Sequence, residues 1–372
     1  MLYENLPYEK VWSGNYVVYD NLLGEIDNIK SNRVLIVTTN SVTSTTSYKK
    51  LLDSFKDYPT FIMKSKQHVP VETLLKNINE IKSFSPDVII SIGGGSSIDT
   101  AKILSFMLVY SISTKEELIE YSIKGKRTKS LYEPLLPHFT IPTTLSSAEF
   151  SCVAGFSDQT TGKKYGLFNK YLTPSQIFLD PIFSVETPVD FWISTGIRGI
   201  DHAVETLYSP VSSPVTQTLS LESLKYLFRY LPLSKENPES LEYRLKCQLG
   251  SWLSLFSSIN IKTGLSHIIG HQLGAAYDIP HGLTSAIILP NVMEFMYVHT
   301  IEQQASIYSV LYEAGITNSQ KVSVKEKALE APILVRELVN KLNLPHRLRD
   351  FNVTKESFPF VVENIISEVE IK

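Results

Sequence analysis

Apolar and polar positions follow two different periods along the first half of the chain. RVLIVTT (33–39), TFIMK (60–64), DVIISI (87–92), HFTIP (138–142) and QIFLD (176–180) are short runs with the composition of buried strands. Between them, a polar stretch through Leu51 to Phe55, VETLLKNINEIKSF (71–84) and SSIDTAKILSFMLVY (96–110) read as helices. Strands alternating with helices predict a parallel sheet covered on both faces. After Asp180-Pro181 the strand pattern stops. STGIRGIDHAVETLYS (194–209), SPVTQTLSLESLKYLFRYL (213–231), SLEYRLKCQLGSWLSLFSS (240–258) and a histidine-bearing segment follow, amphipathic and broken by Gly and Pro. They predict an all-helical second domain. The expected division is an α/β domain over 1–182 and an all-helical domain over 183–372.

Composition narrows the class. A chain of 372 residues is long for one core, which agrees with two domains. A net charge of −3 with no basic block argues against a nucleic-acid surface. Cys152 and Cys247 are isolated and read as reduced thiols. The opening MLYENLPYEKVWSG has no apolar core, so no signal peptide is expected. SAIILPNVMEFMYV (285–298) is too short for a membrane span and carries Glu294. The expectation is a cytoplasmic protein that binds neither nucleic acid nor membrane.

Three segments carry candidate chemistry. DVIISIGGGSSIDTAK is a strand, three glycines and a helix. Gly93, Gly94 and Gly95 allow a tight turn and close backbone approach, and the helix N-terminus behind them favours a diphosphate. The loop lacks the GxGxxG spacing and the Walker lysine. IPTTLSSAEFS (141–151) places Thr143 and Thr144 just after a strand end, where hydroxyls can meet phosphate or ribose; alone it would be a Ser/Thr-rich turn. GLSHIIGHQLGAAYDIPHG (264–282) holds three of the chain's eight histidines, His267, His271 and His281. His267 and His271 share a helix face, and Pro280 is expected to end that helix so that His281 returns from a loop.

GGGSSIDTAK, IPTT, HAVETLYS and the HxxxHxxxxxxxxxPHG pattern, in that order, resemble the iron-containing alcohol dehydrogenase family, whose fold is of the dehydroquinate synthase type. The match runs from about Val34 to Val292. HVPVE (68–72) and PTTLSSAEF resemble its maleylacetate reductase-like branch. The resemblance implies an NAD(P)-dependent oxidoreductase that moves hydride between nicotinamide and a carbonyl or alcohol carbon of a small molecule. It implies that Gly94, Gly95, Ser96 and Asp99 lie along the diphosphate and nicotinamide ribose. Thr143, Thr144 and Leu145 would line the nicotinamide, and Lys164 would reach the ribose; otherwise Lys164 is a solvated hairpin charge. A homodimer is the expected assembly.

In the family, an aspartate and three histidines hold a divalent metal, iron or zinc. His202, His267 and His281 match the histidines, and His271 matches one near the nicotinamide, a candidate proton relay. Arg198 stands where the family has aspartate. Arginine stays charged and cannot ligate a metal, and Asp201 is no simple substitute because one residue turns a helix by about 100°. Three imidazoles can hold zinc with an open fourth position, but a cation beside them weakens it. Arg198 can pair with Asp201, turn to solvent, or take over the metal's electrostatic role on a substrate oxygen or anion. Thr39 stands where many members have an aspartate that repels a 2′-phosphate, so Thr39, Asn40 and Ser41 leave NADPH acceptable. The alternatives are a metal-independent reductase of an acidic carbonyl compound, a dehydroquinate synthase-like lyase, and a non-catalytic nucleotide-binding scaffold.

Overall fold

The computed structural model describes residues 6–123, 125, 134–256, 261–262 and 264–371. They form two compact units, one running to Thr187 and one starting at Pro188.

The first unit holds a six-stranded, all-parallel sheet. In chain order its elements are β1 (Lys10–Ser13), α1 (Val17–Asn28), β2 (Val34–Thr38), α2 (Asn40–Thr43), α3 (Thr46–Asp53), β3 (Thr60–Lys64), α4 (Val71–Phe84), β4 (Val88–Gly93), α5 (Gly95–Val109), α6 (Lys115–Glu120), β5 (His138–Pro142), β6 (Val153–Ser157), β7 (Lys164–Phe168) and β8 (Gln176–Leu179). Strand order is β1-β8-β5-β4-β2-β3, with β6 and β7 a separate antiparallel hairpin. Both faces are covered. Leu35, Val37, Met63 and Ile89 pack with α4 and α5, while Val34, Ile36, Ile90 and Ile92 pack with α1, α3 and Val42. The strict alternation explains why these strands read as continuous apolar runs. The five expected strands are present. Strand β1 carries no clear strand pattern in the sequence: Lys10 and Ser13 are exposed, and its apolar content is only Val11 and Trp12.

The second unit has helices and no strand among its described residues. It comprises α7 (Val189–Tyr208), α8 (Pro214–Glu236), α9 (Leu241–Ser254), α10 (Leu265–Tyr277), α11 (His281–Phe295), α12 (Ile301–Glu313), α13 (Val324–Lys341) and α14 (Phe358–Ile371). Helix α7 is central: from Trp192 to Leu207 every residue but Thr195 is buried. A helix buried on all sides needs partners all round, and α8, α9 and α11 supply them. Pro290 lies inside α11, and no helix is long and apolar enough to cross a membrane. One expectation is corrected. Helix α10 ends at Tyr277 with Asp278 in the left-handed region, and His281 opens α11 instead of lying in a loop. Proline at the residue before a helix's first turn starts helices as readily as it stops them.

Candidate functional site

In the first unit, β4 delivers Gly93–Gly95 to the carboxyl edge of the sheet, where open α/β sheets bind ligands. Gly93 has φ +151°, and a Cβ there would stand 2.5 Å from Ser97 Oγ. A Cβ on Gly94 would meet Thr144 at 3.0 Å, and one on Gly95 would meet Ser146 Oγ at 3.3 Å. These glycines thus bring bare backbone onto the Thr143–Ser147 turn. Helix α5 begins behind them with no side-chain cap, leaving its N-terminal dipole for a ligand. Thr143 N donates to Gly93 O at 3.0 Å, which joins the two loops.

Two hydroxyls in this turn, Thr144 Oγ1 and Ser146 Oγ, are buried without a hydrogen-bond partner. Buried polar atoms are normally satisfied, so this pair is open to the hydrogen bonds of a polar ligand. The residues therefore fit a dinucleotide's diphosphate. Ser146 was not singled out in the sequence, since nothing in SSAE separates it from a turn serine. Nor was Lys102, whose buried ammonium donates to the carbonyls of Ala148, Ser151 and Val153 at 2.7, 2.7 and 3.0 Å. One turn earlier, Asp99 Oδ2 accepts from Gly155 N at 3.0 Å. Together they clamp the segment after the turn onto α5. Leu145 is fully buried. Ser96 lies in the first turn of α5, and Lys164 is exposed at the start of β7. Thr39 caps α2, its Oγ1 accepting from Val42 N and pairing with Ser41 Oγ at 2.9 Å.

In the second unit, α7, α10 and α11 bring four imidazoles into one row. Ring centroids are 5.0 Å apart for His202 and His267, 6.2 Å for His267 and His271, and 5.3 Å for His271 and His281. His202 and His267 are buried, His281 is partly exposed and His271 is exposed. Burial, reinforced by the charges of His267, Arg198 and His271, holds His202 well below the usual imidazole range.

Arg198 is buried and pairs with Asp201. Its Nη1 donates to Asp201 Oδ2 at 3.3 Å and to Ser285 Oγ at 3.1 Å, while Ser285 Oγ donates to Asp201 Oδ2 at 2.6 Å. Glu205, four residues beyond Asp201 and one turn past His202, caps α10. Its carboxylate accepts from the backbone N–H groups of Gly264 (2.8 Å), Ser266 (2.7 Å) and His267 (3.3 Å) and is hydrogen-bonded to His267 Nδ1. It thereby fixes both the helix start and the imidazole. Residues 198, 202 and 205 fall at helical spacing, and so do 281 and 285, so this support was open to a periodicity argument.

The fit of a metal ion can be judged from these contacts. Among the described residues, Asp201, Glu205 and His267 form a group whose ligand atoms lie within 4.8 Å of one another; His202, His267 and His281 do not form another. Ligands of one tetrahedral zinc converge to about 3.4 Å of one another at bond lengths near 2.1 Å. The oxygens of Glu205 are already engaged by three backbone amides and His267, and Asp201 Oδ2 by Arg198 and Ser285. Arg198 stands at the position where the family has its carboxylate ligand, and its guanidinium pairs with Asp201, so the fourth protein ligand of the family's site is missing. A guanidinium already neutralises Asp201. The residues present do not fit the family's metal.

Two family models cover nearly the whole sequence: iron-containing alcohol dehydrogenase over residues 9–181, and the C-terminal part of the Fe-containing alcohol dehydrogenase family over residues 192–371. The chain belongs to the iron-containing alcohol dehydrogenase family. It is an NAD(P)-dependent oxidoreductase of that type, acting between an alcohol and a carbonyl compound. Among relatives, dehydrogenase ALT3 of Alternaria alternata is 27% identical over 361 residues, covering 91% of this chain and 93% of the relative. The NADPH-dependent butanol dehydrogenase of Clostridium saccharobutylicum is 29% identical over 304 residues, covering 80% and 74%. Among solved structures, a 1,3-propanediol oxidoreductase superposes with a TM-score of 0.90 at 22% identity, over 99% of this chain and 94% of the other, which establishes the fold.

Proposed function

We propose that this chain reduces small aldehydes or ketones with a nicotinamide dinucleotide, and that Arg198 performs the electrostatic work a metal performs elsewhere in the family. When bound, the dinucleotide supplies the hydride at its nicotinamide ring. The backbone of Gly94 and Gly95, the first turn of α5 with Ser96, and the hydroxyls of Thr143, Thr144 and Ser146 would hold it. Negative charge develops on the substrate oxygen as the carbonyl carbon takes the hydride. Arg198 donates to that oxygen, and a preorganised cation in a desolvated site is a strong stabiliser of such charge. Asp201 and Ser285 hold the guanidinium in place. Glu205 fixes His267, and the row from buried His202 to exposed His271 offers a path by which His271 passes a proton in from solvent. In the reverse direction each group does the opposite.

The observation that carries this reading is the buried Arg198 itself, hydrogen-bonded to Asp201 and Ser285 beside the histidine row. The test is steady-state oxidation of NADH and NADPH with a panel of small aldehydes and ketones, before and after dialysis against a chelator, with metal content measured on the same samples. Turnover that survives chelation in protein holding well under one equivalent of iron or zinc is expected. A full equivalent of metal, with activity lost on its removal and restored on its return, would overturn the role of Arg198. No carbonyl-dependent oxidation at all would overturn the reductase direction.

A further inference from the structure

The sheet order places β4, β2 and β3 side by side, so three carboxyl ends lie in a row: Gly93, Thr38 and Lys64. Register pairs Thr38 with Lys64 across the β2–β3 ladder. Strand neighbours lie about 4.8 Å apart. A dinucleotide whose diphosphate rests at the end of β4 extends its adenosine ribose over the next strand end, β2, where dinucleotide folds place the side chain that reads the 2′ position. Here that place is Thr39, followed by Asn40 and Ser41, with no carboxylate among them.

The face on which Lys64 stands follows from alternation. Met63 packs on the α4 and α5 side of the sheet with Leu35 and Val37. Lys64 is therefore on the opposite side, the side of Val34, Ile36 and Val42, which is the side carrying α2. Two contacts tie both flanks of this corner to the glycine loop. Ser65 Oγ lies 2.9 Å from Ser97 Oγ in the first turn of α5. Val42 lies 3.9 Å from where a Cβ on Gly93 would be. Among the described residues, the Lys64 ammonium has neither a hydrogen bond nor an ion pair, although the residue is only partly exposed. Burial alone lowers its pKa, with no neighbouring acid acting on it. A partly desolvated ammonium without a counterion, at the ribose end of a nucleotide cradle, is suited to an anion.

We propose that Lys64, with the hydroxyls of Thr39 and Ser41, binds the 2′-phosphate of NADPH and sets this enzyme's preference for it over NADH. The inference rests on the dinucleotide reading above and adds the residue that discriminates. A charge-assisted hydrogen bond to a phosphate is worth about tenfold or more in affinity.

Two measurements test it. The first is the ratio of kcat/KM for NADPH to that for NADH in wild type, Lys64→Met and Lys64→Arg. The wild-type ratio should exceed one, Lys64→Met should lower it at least tenfold, and Lys64→Arg should keep it within about threefold. A lysine that merely supports the fold would change both cofactors alike, so an unmoved ratio in folded Lys64→Met overturns the proposal, as does a wild type that favours NADH. The second is calorimetry of the full chain with adenosine 2′,5′-bisphosphate against adenosine 5′-monophosphate. The bisphosphate should bind more tightly to wild type and lose that advantage, and its salt dependence, in Lys64→Met. This arm needs no turnover: should the protein oxidise neither cofactor, the reductase reading fails while the bisphosphate advantage still decides the role of Lys64.

Discussion

The Gly94–Gly95 loop faces the buried hydroxyls of Thr144 and Ser146, and neither hydroxyl has a protein partner. Around Arg198, by contrast, Asp201, Ser285, Glu205 and His267 supply most of one another's hydrogen bonds and set opposite charges side by side, with Asp201 Oδ1 left over. The first region leaves two hydroxyls open to a ligand, and the second carries its cation in covalent form. An unsatisfied buried donor costs about 1–3 kcal/mol, so a fold keeps such atoms where a bound group repays them. A neutralised network holds its geometry with nothing added.

The largest effect expected from breaking this contrast lies in the first unit. Gly94→Val sets a branched side chain against Thr144, where even a bare Cβ would stand at 3.0 Å, and fills the space of the diphosphate. Dinucleotide affinity should fall by about a hundredfold or more, measured by calorimetry on protein whose circular dichroism matches wild type. Unchanged affinity would place the dinucleotide elsewhere.

Next in size is Arg198→Met, similar in bulk and without charge. Loss of one preorganised donor costs about a hundred- to a thousandfold in kcat. The same change leaves Asp201 buried without its cation, worth about 3–5 kcal/mol of stability. The two effects separate in Arg198→Lys, which keeps the charge but loses the planar fork that spans Asp201 and Ser285: stability should recover more than kcat does. A Met variant with wild-type kcat would reduce Arg198 to a structural partner of Asp201.

The same contrast governs how much could be read from sequence. The sheet was legible because buried parallel strands such as VLIVT and DVIISI are continuous apolar runs, and the cradle because glycines at a strand end have few other uses. Strand β1 was not legible: it is an edge strand of four residues, with exposed ends. The oddity of Arg198 was visible as a departure from a motif, but its resolution was not. Ser285 is 87 residues away and becomes its partner only because α7 and α11 pack together. Glu205 reaches Gly264 and His267 across 59 and 62 residues. Lys102 is hidden for a different reason. A lysine in GGGSSIDTAK looks like a solvated helix residue until the chain between 148 and 153 folds back to offer it three carbonyls.

The smallest effect concerns a buried charge in the first unit that is left without full compensation. Glu149 follows the hydroxyl turn, its Oε2 has no partner, and burial raises its pKa to about 7 against the opposing charge of Lys102. Between its ordinary value of 4.5 and about 7, the folded chain keeps a proton that the unfolded chain has released. Stability from this group is therefore complete below pH 4.5 and is lost as pH rises through 7. His138 acts in the opposite sense. Burial, aided by Lys102, depresses its pKa to about 3, so the unfolded chain holds the extra proton between pH 3 and 6.5, and stability rises with pH across that window. Glu149→Gln removes the first effect and leaves the second. Its melting temperature should match wild type at pH 5 and exceed it by about 2–5 °C at pH 8. Scanning calorimetry of both proteins at the two pH values decides the matter. An equal displacement at pH 5 and pH 8 would mean that Glu149 is ionised in the fold throughout, and that the ammonium of Lys102 balances this carboxylate as fully as Arg198 balances Asp201.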